Sequence, residues 1–248
     1  MLRSSILSLA AAIGAGCLPP GFGGDGGPGG DADAGFTLPG KVLIYYGHGG
    51  VGPEGMWGDM THADTIARYG EAGLQVDHTD QWPGSMADYR LAILPAPGFT
   101  DATARFSDGE AAALTELATR GGVVAIEAEN SGAFDAGVVN ALMASLSTSM
   151  YIDTGWVNGQ ANDIAEHALT AGVARIGFSA AAVLVPGNDP CLVADGTSCI
   201  VAARAVGLGW VALIADGNAF SDLAGWTAAT CDNARLLDNL VQLERAPR

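Results

Sequence analysis

Apolar residues in this chain fall into short, nearly unbroken blocks separated by stretches with a helical period, and that alternation sets the expected architecture. Residues 41–46 (KVLIYY), 91–94 (LAIL) and 123–128 (VVAIEA) read as strands buried on both faces, because neither face of these blocks is polar. A helix is predicted over 61–72, stopped by Gly73, with a second strand at 74–77. Ser107 and Glu110 form a capping box for a helix reaching Arg120 and closed by Gly121-Gly122. Another helix is predicted over 136–146, and 151–153, 176–178 and 182–184 are weaker strand candidates. Residues 200–205 pair with 210–214 across Gly207-Leu208-Gly209, and a last helix spans 233–244. No internal repeat is visible. The alternation predicts a doubly wound, mostly parallel α/β sheet in one domain over 41–248.

The pattern changes at the N-terminus. Arg3, an apolar run over 6–13 and the small residues Gly14, Ala15 and Gly16 lead into Cys17. This resembles a bacterial lipoprotein signal peptide, residues 1–16, cut before a cysteine that carries lipid. Gly14 stands where such signals hold Leu, Val or Ile; the alternative is an ordinary secretory signal cut near Ala12 or Ala15. Both readings predict export. Residues 17–40, rich in Gly, Pro, Asp and Ala, hold too little apolar surface to fold and are expected to act as a tether reaching on the order of 25 Å. Leu18 is not the Asp associated with inner-membrane retention, so the expected location is the outer membrane or cell surface. No later segment offers ~20 unbroken apolar residues, so membrane attachment is expected through the N-terminal lipid only.

The formal charge of −16, with Lys41 the only lysine, argues against nucleic acid as a partner, because such a surface repels phosphate backbones. Cysteine usage agrees with export: Cys191 and Cys199 flank the turn signal Asp195-Gly196 and predict a short disulfide, with pairings to Cys231 left open. If those two pair, Cys231 reads as a packed, small apolar residue.

The segments KVLIYYGHGG (41–50), DYRL (88–91), HALTAGV (167–173), WVALIADGNAFSD (210–222) and DNARLLDNL (232–240) together resemble class I glutamine amidotransferase-like domains. They are closest to non-catalytic branches such as the trehalose-utilisation-like and intraflagellar-transport-like domains. The resemblance implies a flavodoxin-like α/β fold. Catalytic members place a cysteine on a tight elbow after a central strand, with His and Glu near the end of the domain. The matching elbow here holds Glu129, Asn130 and Ser131, and Asp216 and Asn218 stand where the late imidazole would be. Glutamine hydrolysis needs a thiolate beside an imidazole, so amidotransferase activity is not expected.

The remaining candidates converge on the carboxyl edge of the sheet. Gly47, His48, Gly49 and Gly50 form a loop whose glycines let a ligand approach backbone N–H groups, although it lacks the Lys and Ser/Thr of a P-loop. Glu127, Glu129, Asp216, Asn218 and Asp222 with His48 could carry acid/base chemistry, and the oxygen set Asp216, Asn218, Asp222 suits Ca²⁺ or Mg²⁺, though without the spacing of an EF-hand. Asp216 and Asp222 also read as turn and cap residues. Ser131 with His48 would suit a serine hydrolase but lacks the leading Gly of G-x-S-x-G. His62, His78 and His167 read as surface or packing residues. Of the tryptophans, Trp57 and Trp82 fall in loops near the edge, where they could serve as platforms for sugar rings. The reading that emerges is a ligand-binding or scaffold module taking a glycan or an envelope protein, with no cofactor required. Its rival is an envelope hydrolase built on Glu129, His48 and Asp216.

Overall fold

The computed structural model describes residues 40–55, 61–130, 134–220 and 231–242. The signal, Cys17, the tether up to residue 39, Trp57, Ser131, Asp222 and Trp226 lie outside them. Five strands form the parallel half of one sheet: β1 (Lys41–Tyr45), β2 (Gln75–Thr79), β3 (Tyr89–Leu94), β4 (Val123–Glu127) and β10 (Gly209–Ile214), in the order β2-β1-β3-β4-β10. Every residue of β4 and β10 is buried, the carboxylate of Glu127 at the end of β4 included.

The other half is antiparallel, so the sheet is mixed rather than mostly parallel. Beyond β10 lie β9 (Ser198–Val206), β7 (Ile176–Val185) and β5 (Tyr151–Ala161), while β8 (Cys191–Asp195) pairs with β9 and with the short β6 (Asp163–Ile164). Connection length explains the difference. Gly207, at φ 64°, turns β9 straight into β10, and Gly196, at φ 58°, turns β8 into β9; neither link has the length of a parallel crossover. The sequence also understates this half. β5 runs for eleven residues where three were expected, because YIDTGWVNGQA is too polar to read as a buried run and suits a strand at the sheet's edge. The two fragments expected at 176–178 and 182–184 are one strand, β7, carrying Ala180 at φ 52° between them.

The helices fall into two packed pairs. In the first, α1 (Ala63–Glu71) meets α4 (Asn233–Gln242). The Tyr69 hydroxyl donates to the Leu237 carbonyl at 3.0 Å, and the Arg68 guanidinium forks onto both Asp238 oxygens at 2.6 Å. In the second, α2 (Asp108–Thr119) touches α3 (Ala136–Ser145). The links β1-α1-β2 and β3-α2-β4 step across the sheet in opposite directions, so their right-handed crossovers place α1 and α2 on opposite faces. Tyr69, Leu114, Leu117 and Ile126 are fully buried between these layers, each contributing about 1.5–3 kcal/mol. The capping box forms as expected, with Glu110 N–H donating to Ser107 Oγ and Ser107 N–H to Glu110 Oε2.

Cys191 and Cys199 form the expected disulfide across the β8–β9 hairpin. Among the described residues no cysteine is free, and Cys231 is half-buried rather than a packed core thiol. The 232–240 motif does structural work at the head of α4. Asp232 Oδ2 accepts the N–H groups of Ala174 and Arg175, and Asn233 exchanges two hydrogen bonds with Gly177 while donating to the Ala219 carbonyl. Among the described residues no helix is long and apolar enough to cross a membrane.

Candidate functional site

The carboxyl ends of β1, β3, β4 and β10 open on one edge of the sheet, where the order of the chain reverses between β1 and β3. The glycine loop after β1 lies here, packed down onto the loop after β3. Val51 N–H donates to the Pro95 carbonyl, Gly98 N–H to His48 O and Thr100 N–H to Gly49 O. A Cβ on Gly50 would sit 2.7 Å from Pro95 O, and one on Gly47 would strike the Tyr45 ring, so close loop packing accounts for both glycines. Gly49 adopts φ 70°, and Gly50 N–H is taken by the carbonyls of Tyr46 and Gly47.

His48, also in the left-handed region at φ 57°, turns toward the start of α2. Its Nε2 meets Glu110 Oε1 at 2.9 Å, and its ring packs on Phe106 and the edge of Tyr45. Burial opposes ionisation of Glu110, but the Ser107 N–H and His48 hold its carboxyl below the ordinary range. The Tyr45 hydroxyl moves the other way, pushed up to about 12 by burial and by the charges of Glu110 and Asp80. Trp82 packs edge-on against Tyr45 and so belongs to the same half-buried aromatic group.

A second group lies on the α1 side of β4. Glu127 and Glu129 are two residues apart, both fully buried, and their side chains share one face of the strand direction. His62, at the N-cap of α1, makes no capping bond with its side chain. It donates Nε2–H to Glu127 Oε2 at 3.0 Å. Glu129 Oε1 accepts the backbone and side-chain N–H groups of Asn130. Burial pushes Glu129 up to about 7 against the donations from Asn130, and the charge of Glu127 adds to the rise. Glu127 Oε1, Glu129 Oε2 and His62 Nδ1 are buried without a hydrogen-bond partner. His62 is thus a buried hydrogen-bond partner of Glu127, which its position before an ordinary amphipathic helix gives no way to foresee.

Asp216 is fully buried after β10, and its Oδ2 accepts the Ser179 N–H at 2.6 Å, fixing the bend in β7. This partner is thus a backbone N–H of β7 and not one in the turn after its own strand. Asn218 stands in the 3₁₀ turn Gly217–Ala219. Of the expected constellation, His48 bonds Glu110 on the α2 side, whereas Glu129 and Asp216 each lie two residues beyond the paired Glu127 and Ile214, at the ends of neighbouring strands. Among the described residues no group of three or more His, Cys, Asp or Glu is placed to hold a metal ion.

The concave feature at this edge lies on the α3 side. A cleft of about 680 Å³ opens between the 98–102 loop, the start of α3 and the first residues of β5. Phe99, Phe134 and Ile152 line its apolar part, and Thr100, Asp135, Asp153 and Thr154 expose polar groups. Asp135 caps α3 by accepting Gly137 N–H, and Asn140 ties α3 to β5 by exchanging two hydrogen bonds with the Ile152 backbone. Among the described residues, two carboxylates and no cation line this space. None of its lining residues stood out in the sequence; the one available signal was Asp135, a good N-cap before an apolar helix.

No family model matches the chain, and no curated protein is similar to it in sequence. By structure it is similar to the mmIFT52 N-terminal domain, at TM-score 0.63 and 12% identity, covering 84% of this chain and 100% of that one. It is also similar to cytoplasmic protein STM1381 from Salmonella typhimurium LT2, at TM-score 0.59 and 12% identity, covering 83% of this chain and 100% of that one. An exo-beta-1,4-mannosidase from Opitutaceae bacterium strain TAV5 matches at TM-score 0.51 and 14% identity; 84% of this chain is covered but only 36% of the mannosidase. At these identities the likeness is one of fold alone.

Proposed function

We propose that this chain is an exported binding module, held at the outer membrane or cell surface by lipid on Cys17, that takes a neutral saccharide of the envelope in the cleft beside α3. The observation that carries it is the lining of that cleft. Asp135 and Asp153 accept hydrogen bonds from hydroxyl groups, the partly exposed Phe99 offers an apolar face to a sugar ring above the buried Phe134, and the paired carboxylates disfavour anionic ligands. Its volume falls in the range of small-ligand sites. The domain is of class I glutamine amidotransferase-like ancestry with a flavodoxin-like parallel half, a reading supported by the strand order β2-β1-β3-β4-β10 and by the fold shared with the mmIFT52 N-terminal domain. The absence of cysteine from the elbow at Glu129 and Asn130 supports a binding role over an amidotransferase one. The hydrolase reading loses ground because His48 is engaged by Glu110 and Glu129 by Asn130.

A melting screen of the full chain tests this, using glucose, mannose, galactose, N-acetylglucosamine and their short oligomers, with CaCl₂, MgCl₂ and EDTA alongside. A saccharide at ~100 times its dissociation constant adds about 2.7 kcal/mol and raises Tm by several degrees. Asp153→Asn and Asp135→Asn, the latter preserving a good cap, are expected to weaken that shift. A flat saccharide screen overturns the ligand class, and a shift with cation alone redirects it to a metal. Recovery of Cys17→Ser in the soluble fraction while the parent chain stays with membranes tests the anchor.

A further inference from the structure

The two large apolar side chains that the described residues leave exposed, Tyr151 and Trp156, both lie on β5, the strand whose first residues line the cleft. Pairing with β7 shows which of them adjoins it. Ile152 stands opposite Leu184 and Trp156 opposite Ala182. Leu184 and Ala182 are two apart on β7 and share a face, so Ile152 and Trp156 share it as well. Ile152 lines the cleft, and Trp156, 52% exposed, lies further along that face. Tyr151, opposite Val185, falls on the other face. Because the register shift between Asp153 and Trp156 sets four residues of β5 against two of β7, Ile152 and Trp156 are separated along the sheet by about 7 Å, the span of one to two pyranose rings.

We infer that Trp156 is the outer subsite of the saccharide site, so that the ligand is a linear neutral oligosaccharide running from the cleft along β5 and stacking a distal ring on the indole. The inference rests on the reading of the cleft as a saccharide site. A half-exposed indole presents a large flat face at small conformational cost, which suits the C–H surface of a sugar ring. Beside it the strand is poorly shaped for adding another strand. Its register with β7 shifts between Asp153 and Trp156 and again between Val157 and Gly159, and Gly155 and Gly159 adopt φ 108° and 145°. Such breaks blunt an edge against strand addition by a second copy.

The test is calorimetric titration of the full chain and Trp156→Ala with glucose, mannose and N-acetylglucosamine, and with cellohexaose, mannohexaose and chitohexaose. Tryptophan fluorescence gives a second readout. At least one hexamer is expected to bind the parent on the order of tenfold more tightly than its monomer, the scale of one aromatic contact, and to quench fluorescence. In Trp156→Ala the monomer affinity is expected to stay and the gain with length to vanish. Length dependence that survives Trp156→Ala overturns the subsite while leaving the cleft reading standing. Failure of every monomer and hexamer to bind the parent overturns both. Sedimentation of the two proteins adds one outcome: a parent dimer that Trp156→Ala dissociates, with hexamer affinity unchanged, assigns the indole to self-association instead.

Discussion

The His62 imidazole donates Nε2–H to Glu127 Oε2 at 3.0 Å, with neither side chain exposed to solvent by more than 1%. The pair joins the start of α1 to the end of β4 across 65 residues of chain. Removing one member of such a pair leaves the other buried without its partner, which costs more than the pair contributes. His62→Leu is therefore expected to lower stability by about 1–3 kcal/mol in urea denaturation, the cost of a buried group left without its hydrogen bond. The double variant His62→Leu, Glu127→Leu is expected to regain most of the loss. A double variant as unstable as the sum of the single ones would mean that the two side chains act independently.

Glu129 makes stability depend on pH. Burial raises its pKa from 4.5 to about 7, so the folded chain holds this proton more tightly than the unfolded chain does. The folded state gains from that proton at low pH, and the gain disappears as pH rises from about 4.5 through 7, about 3 kcal/mol in all. Glu129→Gln stays neutral throughout and can still accept from Asn130. It is expected to match the parent near pH 4.5 and to exceed it by up to about 3 kcal/mol at pH 8, measured as the difference between paired urea curves. Parallel curves for the two proteins from pH 5 to 8 would show that Glu129 is already ionised in the fold.

Most elements were legible in the sequence because their signals are local. The Ser107–Glu110 box, the apolar runs of β1, β3 and β4, the β9–β10 turn and the Cys191–Cys199 hairpin each lie within a few residues. The site was less legible because its relationships are distant. His48 meets Glu110 across 62 residues and His62 meets Glu127 across 65, and nothing beside any of these residues announces the partner. The antiparallel half was hidden for another reason. A polar edge strand such as β5 carries no apolar run, and its bulges break the alternation that would mark it.

Asp216 separates structural from ligand-binding roles at the same edge. Its Oδ2 accepts the Ser179 N–H at 2.6 Å in a fully buried setting, beside the left-handed Ala180. Asp216→Ala leaves that N–H without its acceptor and is expected to cost about 1–3 kcal/mol, read as a lower urea midpoint. Saccharide affinity, measured well below the melting temperature of the variant, is expected to be unchanged. A loss of affinity without loss of stability would return Asp216 to the binding site.

The disulfide links stability to compartment. Cys191 and Cys199 are eight residues apart and close the β8–β9 hairpin, whose register already pairs Cys191 with Ala202 and Ala194 with Cys199. In the chain-entropy account, closing so short a loop restrains the unfolded chain by about 2.5 kcal/mol, while native hydrogen bonds keep the hairpin assembled after reduction. Opening this bond with dithiothreitol is therefore expected to lower the unfolding free energy in urea by about that amount, while the strand content seen by far-ultraviolet circular dichroism persists. Cys191→Ser, Cys199→Ser should reproduce the loss and become insensitive to the reductant at this hairpin. A chain that depends on this bond is suited to an oxidising compartment, which agrees with the export expected from its first seventeen residues. Equal stability in the presence and absence of reductant would remove that argument.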